Sequence, residues 1–188
     1  MPSSCFSFNC DAIDLNLFAR EATWKFHTSI VIDVSVAQVW EKITSEDWSD
    51  WHPEVSLINW KSPKPHNSNS SRSVRFYHWV IGTLELGPVT IDEQFLVWTE
   101  GEQFVFNFTR INRPRFMSFL AGMEDFKVEA IGEYQTRFTR KVYLKPALLV
   151  RALGFLVHPV FDGIFNNASK RLKLRLEGIV EAVGVRRK

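Results

Sequence analysis

The chain has 188 residues, of which 45% are apolar, 23% are charged and 14% are aromatic, with 16 Phe and 7 Trp. This composition excludes a largely disordered chain and predicts one globular domain with a large aromatic core or an aromatic-lined cavity. The net charge of +2 argues against nucleic acid as the main partner.

Three regions are predicted: an N-terminal extension over residues 1–21, a folded domain over residues 22–184, and a basic tail over residues 185–188. Cys5 and Cys10 lie in the extension, and two thiols there make neither a disulfide framework nor a zinc site. The sequence has no signal-peptide pattern and no run of 18 apolar residues. We therefore expect a cytosolic protein without an integral membrane segment.

Basic residues are concentrated near the end of the chain, and they are a solvated helix face and tail or, alternatively, a transient contact with an acidic membrane or partner. They are Lys170, Arg171, Lys173, Arg175, Arg186, Arg187 and Lys188.

The first periodic elements are a strand and a helix. Residues 13–18 are mildly apolar and predict a short helix or an added strand, whereas residues 24–32 alternate as in a half-buried strand. Ser35 and Gln38 have the spacing of a capping box, which predicts a helix start. The next helical or turn element, over 46–54, ends at Pro53 because the residue before proline avoids the helical conformation.

Six strand-like runs follow, separated by turn-forming residues. They are 55–60, 73–80, 83–98 with a break at Gly87-Pro88, 102–111, 116–130 and 133–144. The segment 62–71, rich in serine and proline, is predicted to be a mobile loop. Tight hairpin turns are predicted at Glu100-Gly101 and Gly132-Glu133.

The last 40 residues change to a helical period. Pro159 predicts a short helix before it and a longer one after it. The predicted apolar stripe consists of Leu148, Ala152, Phe155, Phe161, Phe165, Ala168, Leu172, Leu176, Ile179 and Val183.

One segment carries a resemblance to a known family. Val39-Trp40, followed by the run from Trp48 to Val55 (WSDWHPEV), resembles the opening of the polyketide cyclase/START-like proteins of the Bet v 1-like superfamily. The resemblance covers about residues 22–183. It implies an α+β helix-grip fold: a seven-stranded curved antiparallel sheet wrapped around a long C-terminal helix, with two short helices after the first strand. It also implies a cavity, since members include lipid, sterol and hormone carriers as well as aromatase/cyclases. It does not imply catalysis.

Alternation along the strands and the helix period select side chains that face the interior, where they are predicted to meet a ligand. They are Phe76, His78, Glu93, Phe95, Phe106, Phe108, Phe138, Arg140, Phe155, His158, Phe161 and Phe165. The loop 112–116 is expected to flank the entrance.

Glu93 requires an explanation because an inward-facing carboxylate is costly unless it is paired or neutral. Three readings stay open: a buried ion pair with Arg140 or His78, a polar anchor for a ligand, or a general acid or base whose pKa is raised by burial. Glu93, His78 and Arg140 are thus the candidate catalytic residues. The sequence has no metal-ligand spacing, phosphate-binding loop, dinucleotide motif or G-x-S-x-G motif, so we expect no metal and no cofactor.

The main hypothesis is binding of a hydrophobic small molecule of polyketide, terpenoid, sterol or lipid type in an internal cavity. The first alternative is a cofactor-independent cyclase, dehydratase or isomerase of secondary metabolism in the same cavity. The second is an interaction protein whose cavity is filled by its own side chains. The sequence leaves the ligand and the oligomeric state open.

Overall fold

The computed structural model describes residues 14–77, 79–81, 84–86, 88–112 and 119–178, with backbone only for 79–81 and 84–86. No helix in these ranges is both long enough and apolar enough to cross a membrane.

Asp14 decides the conformation of the first apolar segment. Its side chain accepts hydrogen bonds from the backbone N–H groups of Asn16 and Leu17, at 3.0 and 3.1 Å. This N-cap starts helix α1, Leu15–Glu21. Of the two conformations predicted for this segment, the helix is the one that forms over residues 15–18, and residue 13 lies outside the described residues.

Strand β1, Trp24–Ile32, and helix α2, Val36–Thr44, have the ends that their sequence patterns indicate. In β1 buried and exposed residues alternate along most of the strand. Ser35 and Gln38 form the predicted capping box at the start of α2. A short 3-10 helix, Trp48–Asp50, is the second of the two short helices expected after the first strand.

Seven strands form one antiparallel sheet in the order β1-β9-β8-β7-β6-β3-β2, and β4 and β5 pair as a separate hairpin. The strands are β2 (Val55–Trp60), β3 (Ser71–Phe76), β4 (Trp79–Ile81), β5 (Leu84–Leu86), β6 (Val89–Thr99), β7 (Gln103–Ile111), β8 (Phe119–Gly132) and β9 (Gln135–Pro146).

Two of the predicted strand runs are each divided into two strands. The run 73–80 becomes β3 and β4, and the run 83–98 becomes β5 and β6, with the break at the predicted Gly87-Pro88. The strand β3 also begins two residues earlier than predicted, because Ser71 and Arg72 pair with Gln94 and Glu93 of β6. Pairing with a neighbouring strand, which is invisible to local composition, extends the strand into the serine-rich loop.

The C-terminal helices are α3, Leu148–Ala152, and α4, Gly154–Leu176. The predicted break at Pro159 was wrong: the helices are separated at Leu153, and Pro159 lies inside α4. Proline at this position removes only the bond to the carbonyl of Phe155, in the exposed first turn, so the helix continues through it. Gly154 brings the start of α4 against the Trp24 ring, where an added Cβ would lie 3.4 Å from Cζ2.

Helix α4 packs against the concave side of the sheet, most closely against β1. Its buried face has Val157, Phe161, Phe165, Ala168 and Leu172, which agrees with the central part of the predicted stripe.

Leu148, Ala152 and Phe155 were predicted to belong to this stripe, and this was wrong, because all three are exposed. At about 100° per residue, Phe155 lies roughly 160° from Val157 around the α4 axis. The helix phase fixed by Val157, Phe161 and Phe165 therefore directs Phe155 outward. Ile179 and Val183 lie outside the described residues.

Candidate ligand-binding site

Three rows of cross-strand neighbours line the concave face of the sheet, and they combine rings with charges. The first runs Trp60, Arg72, Glu93, Phe108; the second Phe95, Phe106, Glu124, Val142; the third Phe104, Phe126, Arg140, Thr28. Apart from the partly exposed Trp60, all of these residues are buried. The face is thus an aromatic wall into which four ionisable side chains are set.

The rings of the wall contact one another in a continuous network. Phe106 lies 5.4 Å from Phe95 and 5.9 Å from Phe126, measured between ring centroids. Phe126 contacts Phe138 at 5.9 Å. Phe108 packs directly over the backbone of Gly122, and a Cβ at that position would overlap its ring. The predicted residues Phe95, Phe106, Phe108 and Phe138 therefore share one buried surface.

Helix α4 covers one end of this surface with further rings. Between ring centroids, Phe165 lies 5.1 Å from Phe26, and Phe161 lies 5.2 Å from Phe119. His158 is partly buried and lies 4.5 Å from Phe26. These three predicted residues of the helix face the sheet.

Arg72 is the partner of Glu93. Its Nε donates to Glu93 Oε2 at 2.6 Å, and both side chains are almost completely buried. The predicted pairing of Glu93 with Arg140 was wrong, and His78, the other predicted partner, lies outside the described residues. Sequence reasoning missed Arg72 because the strand was predicted to start at residue 73. Strand alternation could have identified Arg72, because it lies two positions before Val74 and four before Phe76 and so shares their face of the strand.

The Arg72 guanidinium lies among aromatic rings. Its Cζ is 4.3 Å from the Trp48 ring centroid, and between 5.0 and 5.3 Å from those of Phe106, Phe95 and Trp60. Such contacts stabilise a desolvated cation through the ring quadrupole. They hold the side chain in place without occupying its N–H donors in ordinary hydrogen bonds.

Arg140 forms the second buried ion pair, with Glu124. Its Nε and Nη2 donate to Glu124 Oε2 at 2.9 and 2.7 Å. Its Cζ lies 4.7 Å from the Phe165 ring centroid and 5.1 Å from that of Phe126. Arg140 thus connects the wall of the sheet to the inner face of α4. Glu124 had not been recognised as a site residue.

Burial raises the pKa of Glu93 from 4.5 to about 7. The charge of Arg72 opposes this shift, and the nearby charge of Glu124 adds to it. At neutral pH Glu93 is therefore close to its midpoint of protonation.

Burial also disfavours the charged form of His52, which lies beside the aromatic wall, and so lowers its pKa. The Glu54 carboxylate, with Oε2 3.3 Å from His52 Nδ1, opposes this shift.

Three buried guanidinium nitrogens, Nη1 and Nη2 of Arg72 and Nη1 of Arg140, have no hydrogen-bond partner among the described residues. Arg72 is 0% exposed and Arg140 is 3% exposed. Buried donors of this kind are costly unless something accepts from them. The arrangement can therefore hold an acceptor oxygen within an otherwise apolar surface.

The remaining predicted residues are less central. Phe76 is partly buried and lies 6.3 Å from His52. Phe155 was expected to face the interior, and it is 76% exposed. Residues 113–116 of the predicted entrance loop lie outside the described residues. Among those described, no group of three His, Cys, Asp or Glu side chains is arranged to hold a metal ion.

A separate surface pocket of about 290 Å³ lies between α2 and the end of α4. It is lined by Gln38, Glu41, Lys42, Ser45, Asp47 and Leu176. Five of these six residues are polar or charged, and none of them belongs to the aromatic wall.

The family model for "polyketide cyclase / dehydrase and lipid transport" matches residues 23–177. The chain belongs to this family. Uncharacterised proteins of Mycobacterium tuberculosis and Mycobacterium bovis are similar in sequence, with 22% identity over 125 residues, 66% of this chain and 67% of theirs.

Two solved structures show the same fold at low sequence identity. A START superfamily protein from Mycobacterium smegmatis is 12% identical with a TM-score of 0.62, and the match covers 83% of this chain and 99% of that one. The Zhui aromatase/cyclase from a Streptomyces species is 10% identical with a TM-score of 0.61, covering 86% of this chain and 98% of that one. The helix-grip fold predicted from the sequence is confirmed.

Proposed function

We propose that this protein binds a small, mainly apolar molecule between the concave face of the sheet and α4, and that Arg72 holds an acceptor oxygen of that molecule. The observation that carries the proposal is the fully buried Arg72 guanidinium, whose two Nη atoms have no acceptor among the described residues. The family, which includes lipid transport in its description, supports the apolar part of the proposal. We also propose that binding takes place in the cytosol.

The rings supply most of the affinity in this proposal. Burying about 300 Å² of apolar ligand surface contributes several kcal/mol at roughly 25 cal/mol per Å², before the costs of association. Apolar walls discriminate weakly between ligands of similar size. The guanidinium donors add orientation, because an acceptor oxygen placed elsewhere leaves them unpaired.

Two fluorescent probes of similar size test this proposal. Anilinonaphthalene sulfonate carries an anionic group, whereas phenylnaphthylamine has the same two aromatic units without it. We expect Arg72→Met to weaken sulfonate binding about tenfold or more and to change phenylnaphthylamine binding little. Phe106→Ala and Phe161→Arg should weaken both. The exposed Arg75, on the same strand, provides the control variant Arg75→Met.

If each probe binds Arg72→Met as tightly as it binds wild type, Arg72 has no part in ligand binding. Failure of the folded wild type to bind either probe would contradict the apolar site itself and favour a protein whose interior is filled. A cooperative thermal unfolding transition above the assay temperature is required of each variant, because partly unfolded proteins also bind anilinonaphthalene sulfonate.

The second candidate function is a cyclase, dehydratase or isomerase that acts in the same place. Glu93 favours it, because a buried carboxyl with a pKa of about 7 is matched to proton transfer at neutral pH. In this proposal the wall folds the substrate chain for attack, and Glu93 moves the proton while Arg72 holds the carbonyl oxygen. With a linear poly-β-ketone thioester as substrate, Glu93→Gln should lower turnover about 100-fold and leave substrate affinity nearly unchanged. An unchanged rate excludes Glu93 as the acid or base.

A further inference from the structure

Half of the large apolar side chains exposed on the described residues lie in one short stretch, at α3 and the beginning of α4. This set, which we call the α3–α4 patch, consists of Leu148, Leu149, Leu153, Phe155, Leu156 and Val160. Leu148 is 82% exposed and Phe155 is 76% exposed. Single exposed apolar residues need no explanation, but a contiguous set of this kind indicates a surface that something covers.

The patch is a consequence of the helix phase. At about 100° per residue, Phe155, Leu156 and Val160 fall within roughly 140° of arc around α4. Val157 and Phe161, on the opposite side, pack on the sheet. The first turns of α4 are therefore apolar on both sides. A helix that only covered a core would be polar on its outer side.

Basic residues lie beside the patch. Arg151 is exposed within α3, and Lys145 at the end of β9 lies just before it. Lys25 and Arg20 are exposed near the start of β1, the strand whose Trp24 contacts Gly154. Two carboxylates also lie on this side of the molecule: Glu21, which is paired with Lys145 at 3.0 Å, and Asp162, two residues after Val160 on α4. The four basic residues outnumber these two acidic ones, so the patch is an apolar surface with a net positive border.

We propose that the α3–α4 patch docks on an anionic lipid bilayer, with its apolar side chains at the level of the acyl chains and the flanking cations at the headgroups. Apolar residues on one side with lysine and arginine beside them are the arrangement of interfacial helices. A second copy of the chain fits less well, because its patch has the same net positive border. This surface is separate from the aromatic wall, so the proposal does not depend on the identity of a bound ligand.

The test is co-sedimentation of the full chain with vesicles. One set consists of phosphatidylcholine, and the other of phosphatidylcholine and phosphatidylglycerol in about equal amounts. We expect binding to the anionic vesicles that weakens as salt is added. Leu156→Ser and Phe155→Ser should each reduce it about tenfold, and Arg151→Gln about fivefold. Leu57→Ser is the matched control, since Leu57 is 57% exposed on β2 and Leu156 is 56% exposed.

Absence of vesicle binding by the folded wild type overturns the proposal, and so does binding that the patch variants leave unchanged. Sedimentation equilibrium supplies the remaining outcome. A wild-type dimer that becomes a monomer with Phe155→Ser would assign the patch to a second copy and also overturn the proposal. Because the substituted residues are exposed, unfolding temperatures close to that of wild type are expected for all four variants.

Discussion

Removal of Arg72 should destabilise the protein far more at pH 8 than at pH 5. In the native state Arg72 Nε lies 2.6 Å from Glu93 Oε2, with both side chains buried. Breaking such a pair by removing one partner costs about 3–5 kcal/mol, because an uncompensated charge remains in the interior. Glu93 can avoid this cost by protonation, since its pKa is about 7 even beside Arg72.

The size of the difference follows from that protonation. In Arg72→Met the pKa of Glu93 rises further, because the opposing cation is gone. At pH 5 the carboxyl is neutral in both proteins, and the variant loses one charged hydrogen bond and the ring contacts, about 1–3 kcal/mol. At pH 8 the Glu93 carboxyl of the variant must either carry an unpaired charge in the interior or keep its proton above its normal range of pH. Both cost free energy, so we expect the full loss of about 3–5 kcal/mol.

Urea unfolding followed by tryptophan fluorescence measures both values. Arg75→Met, at an exposed position of the same strand, is the control and should change the free energy of unfolding by less than about 0.5 kcal/mol at either pH. A loss of stability of the same size at pH 5 and pH 8 would refute the reasoning, because it would mean that removal of Arg72 does not change the protonation of Glu93.

Four further substitutions test stability. Burial raises the Glu93 pKa from 4.5 to about 7, so the stability that this carboxyl contributes is fully present below pH 4.5 and is lost as the pH rises through 7. The free energy of unfolding should therefore fall by about 3 kcal/mol at most across this range, as measured by urea unfolding, and Glu93→Gln should remove the fall. Gly122→Ala should cost about 1–3 kcal/mol in the same assay, because the buried Phe108 ring must move; Gly163→Ala, in open space on α4, should instead stabilise by up to about 1 kcal/mol. Asp14→Ala should lower helicity measured by circular dichroism and destabilise α1 by about 1 kcal/mol, and unchanged helicity would contradict its role as N-cap.

Local patterns predicted those parts of the fold that local chemistry determines. The Ser35–Gln38 capping box defined the start of α2, and alternation identified most inner-face residues of β1 and β9. These signals work because caps and strand faces depend on residues within a few positions of one another.

Features that depend on distant contacts were not predicted correctly. Arg72 lies at the inner face because β3 pairs with β6, and nothing in the serine-rich sequence before it indicates that pairing. Phe155 was placed on the inner face together with Leu148 and Ala152, in a short helix that was predicted to end before Pro159. The helix α4 instead begins at Gly154 and continues through Pro159, so Phe155 follows the phase set by Val157 and Phe161. In both cases tertiary packing selects between local alternatives of similar energy.

Native mass spectrometry of the protein purified from its own source tests the central claim most directly. If a small molecule occupies the concave face, the wild type should carry a one-to-one adduct that organic solvent releases, and Phe161→Arg, which places a charge on the inner face of α4, should lack it. The bare polypeptide mass for the wild type, together with failure to bind phenylnaphthylamine, would contradict the claim.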